Sequence, residues 1–374
     1  MIRYADLYAE YLECQEVVDA AMQRCIINSS FINGPEVLSF EQEWATYCKA
    51  EACAGVSSGT SALMLALDSL GIGPGDEVIV PAMSFISTAE VINQLGATPV
   101  FVDIDLDHVM DIDQVHVSDK TRAVIFVDLY GQTLDIAKLK CRIGDIPLIR
   151  DAAQSAGVRY LPGGDHDMCY ATCWSFYPGK NLSAMGDAGA VTGSEEVCAK
   201  IRYLRDHGRT EKYVHTGRGW NERLDGLQAA ILRAKLPYLE TWNERRQRNA
   251  ALYRGMLQHR YITLPQEKKN ISSHVYNQFV IKTQNRDDLR NFLAERGIET
   301  GLQFPLALHQ QPVYKHLNLI RPMASILADR CLSLPVHAQM SVQQVITVGE
   351  AVMEFINRKG SGDIVAASPI GMSS

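Results

Sequence analysis

The sequence predicts an α/β fold in which helices cover both faces of a mainly parallel sheet. Two observations carry this prediction. Between residues 77 and 154, short apolar stretches alternate with stretches of helical spacing, and the apolar stretches run into proline or aspartate. Strands that are buried on both faces of a parallel sheet have this continuous apolar character. Ligands of such sheets bind at the carboxyl ends of the strands, so polar residues there are candidate functional residues.

The elements of this region can be assigned in order. The predicted strands are "EVIVP" (77–81), "TPVFVDID" (98–105), "AVIFVDLYG" (123–131) and "IPLIRDAAQ" (146–154). "STAEVINQLG" (87–96) has helical spacing and stops at glycine. "GIGPGDE" (71–77) does not fit the glycine pattern of a dinucleotide site, so it predicts a turn. Three carboxylates fall at predicted strand ends: Asp103, Asp128 and Asp151.

The second half of the chain has a different pattern. Residues 194–258 predict helices, with a break or kink near Pro237. Beyond residue 275, strand-like and helical stretches mix and predict a small α+β unit. We therefore predict a large domain (1–245) and a small C-terminal domain (246–360). We also predict a flexible tail (361–374), because its residues have mostly small side chains and show little hydrophobic periodicity.

Composition excludes several functional classes. The chain of 374 residues carries a formal net charge of −7 and no long basic run, which disfavours nucleic-acid binding. No apolar run reaches the length of a membrane helix, and the first residues do not resemble a signal peptide. The nine cysteines are scattered without a zinc-ligand pattern, so we expect reduced thiols, no metal site and a cytoplasmic location.

The stretch "SFYPGKNL" holds the strongest candidate for chemistry, Lys180. A P-loop is excluded, because Trp174 stands where that motif needs glycine and Asn181 where it needs Ser or Thr. A solvated surface lysine is the ordinary alternative. The aromatic neighbours Phe176 and Tyr177 disfavour it, since a lysine packed among them loses hydration. Its pKa should fall, and such a lysine is a candidate nucleophile.

Two further motifs are weak alone. In "SSGTSAL", Ser58, Gly59 and Thr60 precede an apolar helix, where they could cap the helix or place its N-terminus on a phosphate. In "DAAQS", Asp151 could cap the following turn or pair with a protonated ring nitrogen of a cofactor. Gln154 lies three residues later.

Taken together, these motifs indicate one cofactor. A phosphate-binding turn is followed by a strand-end carboxylate and then by a packed lysine. Ser175 stands five residues before that lysine and could also reach a phosphate. Phe85 follows a predicted strand end and could stack on a planar ring. This set predicts pyridoxal 5'-phosphate, held by Lys180 and Asp151.

With these motifs the chain resembles the DegT/DnrJ/EryC1/StrS family of sugar aminotransferases, which have the fold type I of pyridoxal-phosphate enzymes. The resemblance runs from "FINGPEVLSFEQEWATYC" (31–48) to "FPLALHQQPVY" (304–314). It rests on "SSGTSAL", "GIGPGDEVIVP", "DLYGQ", "DAAQS", "SFYPGKNL", "GDAGAVTG" and "GRGWNERLDGLQAAIL". It implies a large domain built on a mainly parallel sheet of the seven-stranded type, with a small C-terminal domain.

The resemblance also implies a role for each site residue. Lys180 forms the Schiff base with the cofactor and serves as the proton shuttle, while Asp151 pairs with the ring nitrogen. The residues implied around the rest of the cofactor are Phe85 and Gln154 at the ring and Ser58, Gly59, Thr60 and Ser175 at the phosphate. Asn221 is implied to reach the phosphate of a partner subunit, which predicts a homodimer with shared active sites. Tyr177 and His309 are implied to lie near the sugar, although His309 could equally be a surface-loop residue.

The implied activity is amino transfer in two half-reactions, with pyridoxamine 5'-phosphate between them. L-glutamate would donate the amino group, and a nucleotide-linked keto sugar would accept it. Tyr177 is similar to members acting at C3, so a 3-keto-6-deoxyhexose is favoured over a 4-keto sugar. A keto-cyclitol acceptor is the closest rival. Lys180 disfavours the family's dehydratases, and the intact motif set disfavours a binding protein without catalysis.

Some positions depart from the family pattern. They are Met83, Arg150, Met185 and the pair Gln303-Phe304. These departures bear on which sugar and which nucleotide the protein accepts, and they leave the amino-transfer chemistry unaffected.

Overall fold

A seven-stranded sheet forms the centre of the computed structural model, which describes residues 1–159, 168–267 and 271–361. Its strands are β1 (Ala52–Val56), β2 (Glu77–Pro81), β3 (Thr98–Val102), β4 (Thr121–Val127), β5 (Leu148–Asp151), β6 (Ala171–Ser175) and β7 (Gly189–Gly193). They lie in the order β1-β7-β6-β5-β4-β2-β3. Strand β7 is antiparallel to both of its neighbours, and the other adjacent pairs are parallel. The predicted mainly parallel sheet is confirmed.

Helices cover both faces of this sheet, as the continuous apolar strands predict. The helices of the first two thirds of the chain are α1 (Leu7–Ile27), α2 (Pro35–Cys48), α3 (Gly59–Ser69), α4 (Ser87–Gln94), α5 (Ile136–Ile143), α6 (Glu195–Leu204) and α7 (Gly226–Lys235). Neighbouring residues of β4 point to opposite faces. Ile125 packs into the core that holds α3, α4 and α6, whereas Phe126 packs into the core that holds α5. Each such fully buried side chain contributes about 1.5–3 kcal/mol of stability.

The remaining elements form a short hairpin and a second core. The hairpin is β8 (Arg209–Glu211) with β9 (Val214–His215). After it come α8 (Leu239–Met256), β10 (Phe279–Lys282), α9 (Arg286–Glu295), α10 (Pro322–Arg330), β11 (Cys331–Leu334) and α11 (Val342–Ser361). Strands β10 and β11 pair antiparallel and pack with α8, α9 and α11 around a core of their own.

The long helix α8 joins the two cores. It is separated from α7 by a 3₁₀ turn that contains Pro237, where the sequence predicts the break. Trp242 packs beside α1 and α7, whereas Tyr253 lies in the C-terminal core. The predicted boundary at 245/246 falls inside α8 and stays a prediction. The predicted tail (361–374) lies outside the described residues beyond Ser361.

The strand ends bring the candidate residues to one edge of the sheet. Because β1, β5 and β6 are parallel to one another, their carboxyl ends lie at the same edge. Asp151 and Ser175 are the last residues of β5 and β6, and Ser58 follows the end of β1. Within the described ranges, no helix combines the length and the apolar character needed to cross a bilayer.

Candidate active site

A cavity of about 690 Å³ opens at this edge of the sheet. Its walls come from the strand ends, from the first residues of the chain and from the segment that precedes β10. Nine of the predicted site residues line it: Ser58, Gly59, Thr60, Phe85, Asp151, Gln154, Ser175, Tyr177 and Lys180. Residues from four separate parts of the sequence are thus brought into one place.

Lys180 lies in a tight turn after β6. Its backbone N–H donates to the carbonyl of Tyr177 at 2.8 Å, and Pro178 and Gly179 form the bend between them. Burial lowers the pKa of the Lys180 amine to about 8, and the negative charge of Asp151 partly opposes this effect. A substantial fraction of the amine is therefore neutral near pH 8, as a nucleophile or general base requires.

Asp151 is buried at the end of β5, and its two oxygens have separate donors. The hydroxyl of Thr88 on α4 donates to Oδ2 at 3.0 Å, and the backbone N–H of Ala153 donates to Oδ1 at 3.1 Å. Burial raises the pKa of Asp151, while these hydrogen bonds and Lys180 oppose the rise. Thr88 is held in turn by Ser84 at 2.7 Å. Asp151 is therefore a fixed acceptor that faces the cavity.

The N-terminus of α3 forms the anion-binding end of the cavity. Ser58 caps the helix by accepting a hydrogen bond from the N–H of Ser61 at 3.1 Å, as the motif predicts. Gly59 abuts the end of β6, where an added Cβ would lie 2.7 Å from Cβ of Ser175. Thr60 and Ser87 share a hydrogen bond of 2.7 Å. Free N–H groups of the first turn, hydroxyls and the helix dipole together suit a phosphate.

Glu222 supports this turn and has no counterpart among the sequence predictions. Its carboxylate accepts hydrogen bonds from the hydroxyls of Ser57 and Ser61, and its backbone carbonyl accepts from the N–H of Ser57 at 3.1 Å. The segment around Glu222 thereby holds the turn that carries Ser58. Nothing local in the sequence indicates these contacts, because the partners lie far apart in the chain.

An aromatic wall completes the cavity. Phe85 is 54% exposed, with its ring centroid 5.9 Å from that of Phe304. Gln154 is buried, and its Oε1 accepts a hydrogen bond from the N–H of Tyr130 at 2.7 Å. Tyr177 lies exposed in the cavity wall. A planar ring would cover the exposed face of Phe85 without disturbing the buried residues.

These features fit pyridoxal phosphate. The cavity offers an amine of lowered pKa, a buried carboxylate, a helix N-terminus and an uncovered aromatic face. Because Gly59 has no Cβ, the start of α3 can lie directly against Ser175 at the end of β6, which brings the two phosphate-binding segments together. Lys180 and Asp151 would hold the ring, and Ser58, Thr60 and Ser175 would hold the phosphate.

Two predicted residues lie outside the walls that this chain provides. Asn221 is exposed and forms an isolated antiparallel bridge with Asp206. His309 is buried in a 3₁₀ turn, with Nε2 3.3 Å from the hydroxyl of Ser325, and burial lowers its pKa. Their implied roles at a partner's phosphate and at the sugar stay predictions.

The departures from the family pattern have distinct positions. Arg150 is buried and forms an ion pair with Asp128 at 2.5 Å, and it makes no ion pair with Asp151 in the described residues. Met83 is buried in the core, whereas Met185 is exposed. Gln303 and Phe304 both line the cavity.

Comparison with known proteins identifies the family of the chain. The model of the DegT/DnrJ/EryC1/StrS aminotransferase family matches residues 13–353. The chain belongs to this family. The chain is a pyridoxal-phosphate-dependent aminotransferase, the enzyme class for which this family is named. The predicted fold class, enzyme class and cofactor are confirmed.

Individual family members resemble the chain over nearly its full length. A Streptomyces venezuelae protein named dTDP-3-amino-3,4,6-trideoxy-alpha-D-glucose transaminase is 38% identical over 96% of this chain and 97% of its own. The structure of S. venezuelae DesV in complex with a ketimine intermediate is 39% identical, with a TM-score of 0.91 over 95% of this chain and 98% of its own. NtdA from Bacillus subtilis, solved with bound cofactor PMP, is 28% identical, with a TM-score of 0.86 over 92% of this chain and 82% of its own.

Proposed function

We propose that the enzyme transfers the amino group of L-glutamate to a nucleotide-linked keto sugar, with a 3-keto-6-deoxyhexose as the favoured acceptor. The observation that carries this proposal is the cavity that joins Lys180, Asp151 and the N-terminus of α3. Support for the acceptor comes from the 38% identical relative, whose name places its amino group at C3 of a dTDP-linked sugar.

The residues of the cavity divide the chemistry between them. Bound pyridoxal phosphate supplies an electron-withdrawing ring that stabilises the carbanion formed when a substrate C–H bond breaks. The Nζ of Lys180, with its pKa lowered to about 8, accepts that proton. The same amine then donates the proton to the carbon atom of the cofactor that carries the nitrogen. Asp151, fixed by Thr88 and Ala153, keeps a proton on the ring nitrogen. Ser58, Thr60 and Ser175 anchor the phosphate, which holds the reacting atoms in place.

The acceptor would enter past the exposed aromatic side chains. Tyr177, Phe85 and Phe304 line this part of the cavity, and apolar rings of this kind stack on sugar rings. Tyr177 occupies the position that favours C3 by resemblance. A 4-keto sugar and a keto-cyclitol are the alternative acceptors.

We further propose a homodimer with shared active sites. Asn221 is exposed and lies next to Glu222, which holds the phosphate-binding turn of its own subunit. This segment would place Asn221 at the phosphate of the partner subunit. The nine cysteines carry free thiols, and this supports the proposed cytoplasmic location.

A half-reaction screen tests the acceptor. Protein loaded with pyridoxamine phosphate is mixed separately with a 3-keto nucleotide sugar, a 4-keto nucleotide sugar and a keto-cyclitol. Return of the visible absorption band of the pyridoxal form reports the transfer. We expect the fastest return with the 3-keto sugar. A return seen only with the cyclitol would overturn the proposed acceptor class.

A further inference from the structure

The first residues of the chain pair with the segment that follows α9. The backbone N–H of Ile2 donates to the carbonyl of Gly297 at 2.7 Å, and the N–H of Glu299 donates to the carbonyl of Ile2 at 2.9 Å. The N–H of Tyr4 then donates to the carboxylate of Glu299 at 3.0 Å. These hydrogen bonds fix the backbone of Tyr4, whose side chain lies in the wall of the active-site cavity.

Tyr4 holds the side chain of Gln303 in the same wall. The Tyr4 hydroxyl donates to Oε1 of Gln303 at 3.0 Å. Burial raises the pKa of Tyr4, so the hydroxyl keeps the proton that it donates. Gly301 makes the contact possible, because an added Cβ there would lie 2.7 Å from both Cζ of Tyr4 and Oε1 of Gln303. The hydroxyl of Tyr130 also donates to the backbone carbonyl of Gln303, which fixes this residue at a second point.

The hydrogen bond from Tyr4 decides which end of the Gln303 amide is left for a ligand. A primary amide has an oxygen that accepts and a nitrogen that donates. The oxygen already accepts from Tyr4, and in the parts of the chain that the structure describes no group accepts from Nε2. Because Gln303 lines the cavity, Nε2 offers a fixed, uncharged donor to a molecule bound there. An oxygen atom of that molecule is the matching partner.

The neighbours of Gln303 favour a sugar as this molecule. Phe304 follows in the cavity wall, and its ring centroid lies 5.9 Å from that of Phe85. A single polar donor beside apolar rings matches a sugar, which has hydroxyl groups at its edge and C–H groups on its faces. In a 3-keto-6-deoxyhexose that is linked to a nucleotide through C1, the free hydroxyls are at C2 and C4. Both of them flank the reacting carbon.

We propose that Gln303 selects the acceptor by donating from Nε2 to one of these two hydroxyls, and that Tyr4 is the positioning residue that fixes the amide. The inference rests on the proposed function, in which the acceptor is a nucleotide-linked 3-keto sugar. It adds that the enzyme distinguishes this sugar from the analogue that lacks the hydroxyl. We expect a discrimination of about 2- to 13-fold, the contribution of one hydrogen bond between neutral groups.

A purely structural role is the alternative, because the contact between Tyr4 and Gln303 ties the start of the chain to the segment after α9. Gln303→Glu separates the two roles. An ionised glutamate keeps an oxygen that accepts from Tyr4, but it has no N–H to donate. A structural contact should survive this substitution. The discrimination between sugars should instead be lost as fully as in Gln303→Leu.

The test runs the acceptor half-reaction in reverse, because transamination is reversible and amino sugars are more stable than keto sugars. The pyridoxal form is mixed separately with a dTDP-linked 3-amino-3,6-dideoxyhexose, its 2-deoxy analogue and its 4-deoxy analogue. Loss of the visible absorption band gives a second-order rate constant for each. For the wild-type protein, this constant should be about 2- to 13-fold higher for the parent sugar than for one of the analogues. Both Gln303 variants should use the parent sugar and that analogue equally well. If Gln303→Leu does not retain the cofactor, Gln303→Glu decides.

Tyr4→Phe tests the positioning role, because it removes only the hydroxyl that fixes the amide. The ratio between the parent sugar and the analogue should fall, but less than in Gln303→Leu. Tyr8→Phe is the matched control, since Tyr8 is 63% exposed on α1 and does not line the cavity. The half-reaction with L-glutamate should stay close to the wild-type rate in Tyr4→Phe and Gln303→Leu, because the donor has no ring hydroxyl. An unchanged sugar ratio in Tyr4→Phe would refute the role of Tyr4.

Two results would overturn the inference and leave the proposed function intact. One is equal use of the three amino sugars by the wild-type protein. The other is a wild-type ratio in Gln303→Glu, which keeps the contact with Tyr4 and lacks the donor. If L-glutamate converts the cofactor and none of the three amino sugars does, the proposed acceptor is wrong and the inference falls with it.

Discussion

Asp151 and Lys180 line the same cavity without forming an ion pair with each other. The oxygens of Asp151 accept from Thr88 and Ala153, and the Lys180 amine keeps a pKa lowered to about 8. A direct contact would raise the lysine pKa and neutralise the carboxylate. In the proposed function, Asp151 meets the ring nitrogen of the cofactor and Lys180 meets its reactive carbon.

In the proposed function, replacing Lys180 removes both the covalent attachment of the cofactor and the proton shuttle. Lys180→Ala should lose the visible band of the attached cofactor, and turnover should fall by at least about 10²- to 10⁴-fold, the usual contribution of a positioned acid–base group. Absorbance and steady-state assays measure the two effects. Lys200→Ala is the control, because Lys200 is an exposed lysine on α6 that pairs with Glu196. Wild-type turnover in Lys180→Ala would refute the assigned role.

The lowered pKa of Lys180 predicts a pH dependence of cofactor attachment. Only the neutral amine attacks pyridoxal phosphate, so attachment to the cofactor-free protein should accelerate with rising pH and level off above about 8. Asp151 raises the Lys180 pKa, so Asp151→Asn should move the midpoint to lower pH. Stopped-flow absorbance follows the reaction. A midpoint near 10.5, the ordinary lysine value, would show that burial does not act on this amine.

The hydroxyl of Thr88 should matter through Asp151. Thr88→Val removes a buried donor to Oδ2, so the pKa of Asp151 should rise further. Loss of one hydrogen bond to a buried carboxylate destabilises its ionised form by about 1–3 kcal/mol. Since the ionised form is required in the proposed function, kcat should fall about 5- to 150-fold. Thr88→Ser keeps the hydroxyl and should restore most of the rate. Equal rates in the Val and Ser variants would mean that the hydrogen bond has no catalytic effect.

Gly59 should be needed for cofactor affinity. In Gly59→Ala the new Cβ would lie 2.7 Å from Cβ of Ser175, so the end of β6 or the start of α3 must shift at the phosphate site. We expect the dissociation constant for pyridoxal phosphate to rise at least about tenfold, or about 1.4 kcal/mol. Gly255→Ala is the control, because its Cβ would meet nothing within 4 Å and alanine favours the helix. Unchanged affinity in Gly59→Ala would remove Gly59 from the phosphate site.

Much of the fold and site follows from local sequence chemistry. The apolar strands, the cap at Ser58 and the break at Pro237 depend on neighbours in the chain, and the structure has each of them. Predicted strand 123–131 is shorter in the structure, because β4 ends at Val127 and a turn follows. The N–H of Tyr130 in that turn donates to Gln154, a contact that the apolar pattern does not encode.

Other site residues could not be predicted because their partners lie far away in the chain. Glu222 contacts Ser57, and Thr88 contacts Asp151, across long separations in the sequence. Each is an ordinary polar residue in its local context. Asn221 is a different case, since its predicted role depends on a second subunit.

Transfer of nitrogen from donor to sugar tests the central claim most directly. The enzyme is incubated with L-[¹⁵N]glutamate and a dTDP-linked 3-keto-6-deoxyhexose, and the nucleotide sugar is analysed by mass spectrometry. We predict an amino sugar that carries the heavy nitrogen, with an equal amount of 2-oxoglutarate. If 2-oxoglutarate forms but neither this sugar nor any other keto sugar supplied gains the labelled nitrogen, the proposed transfer of the amino group to a sugar is contradicted.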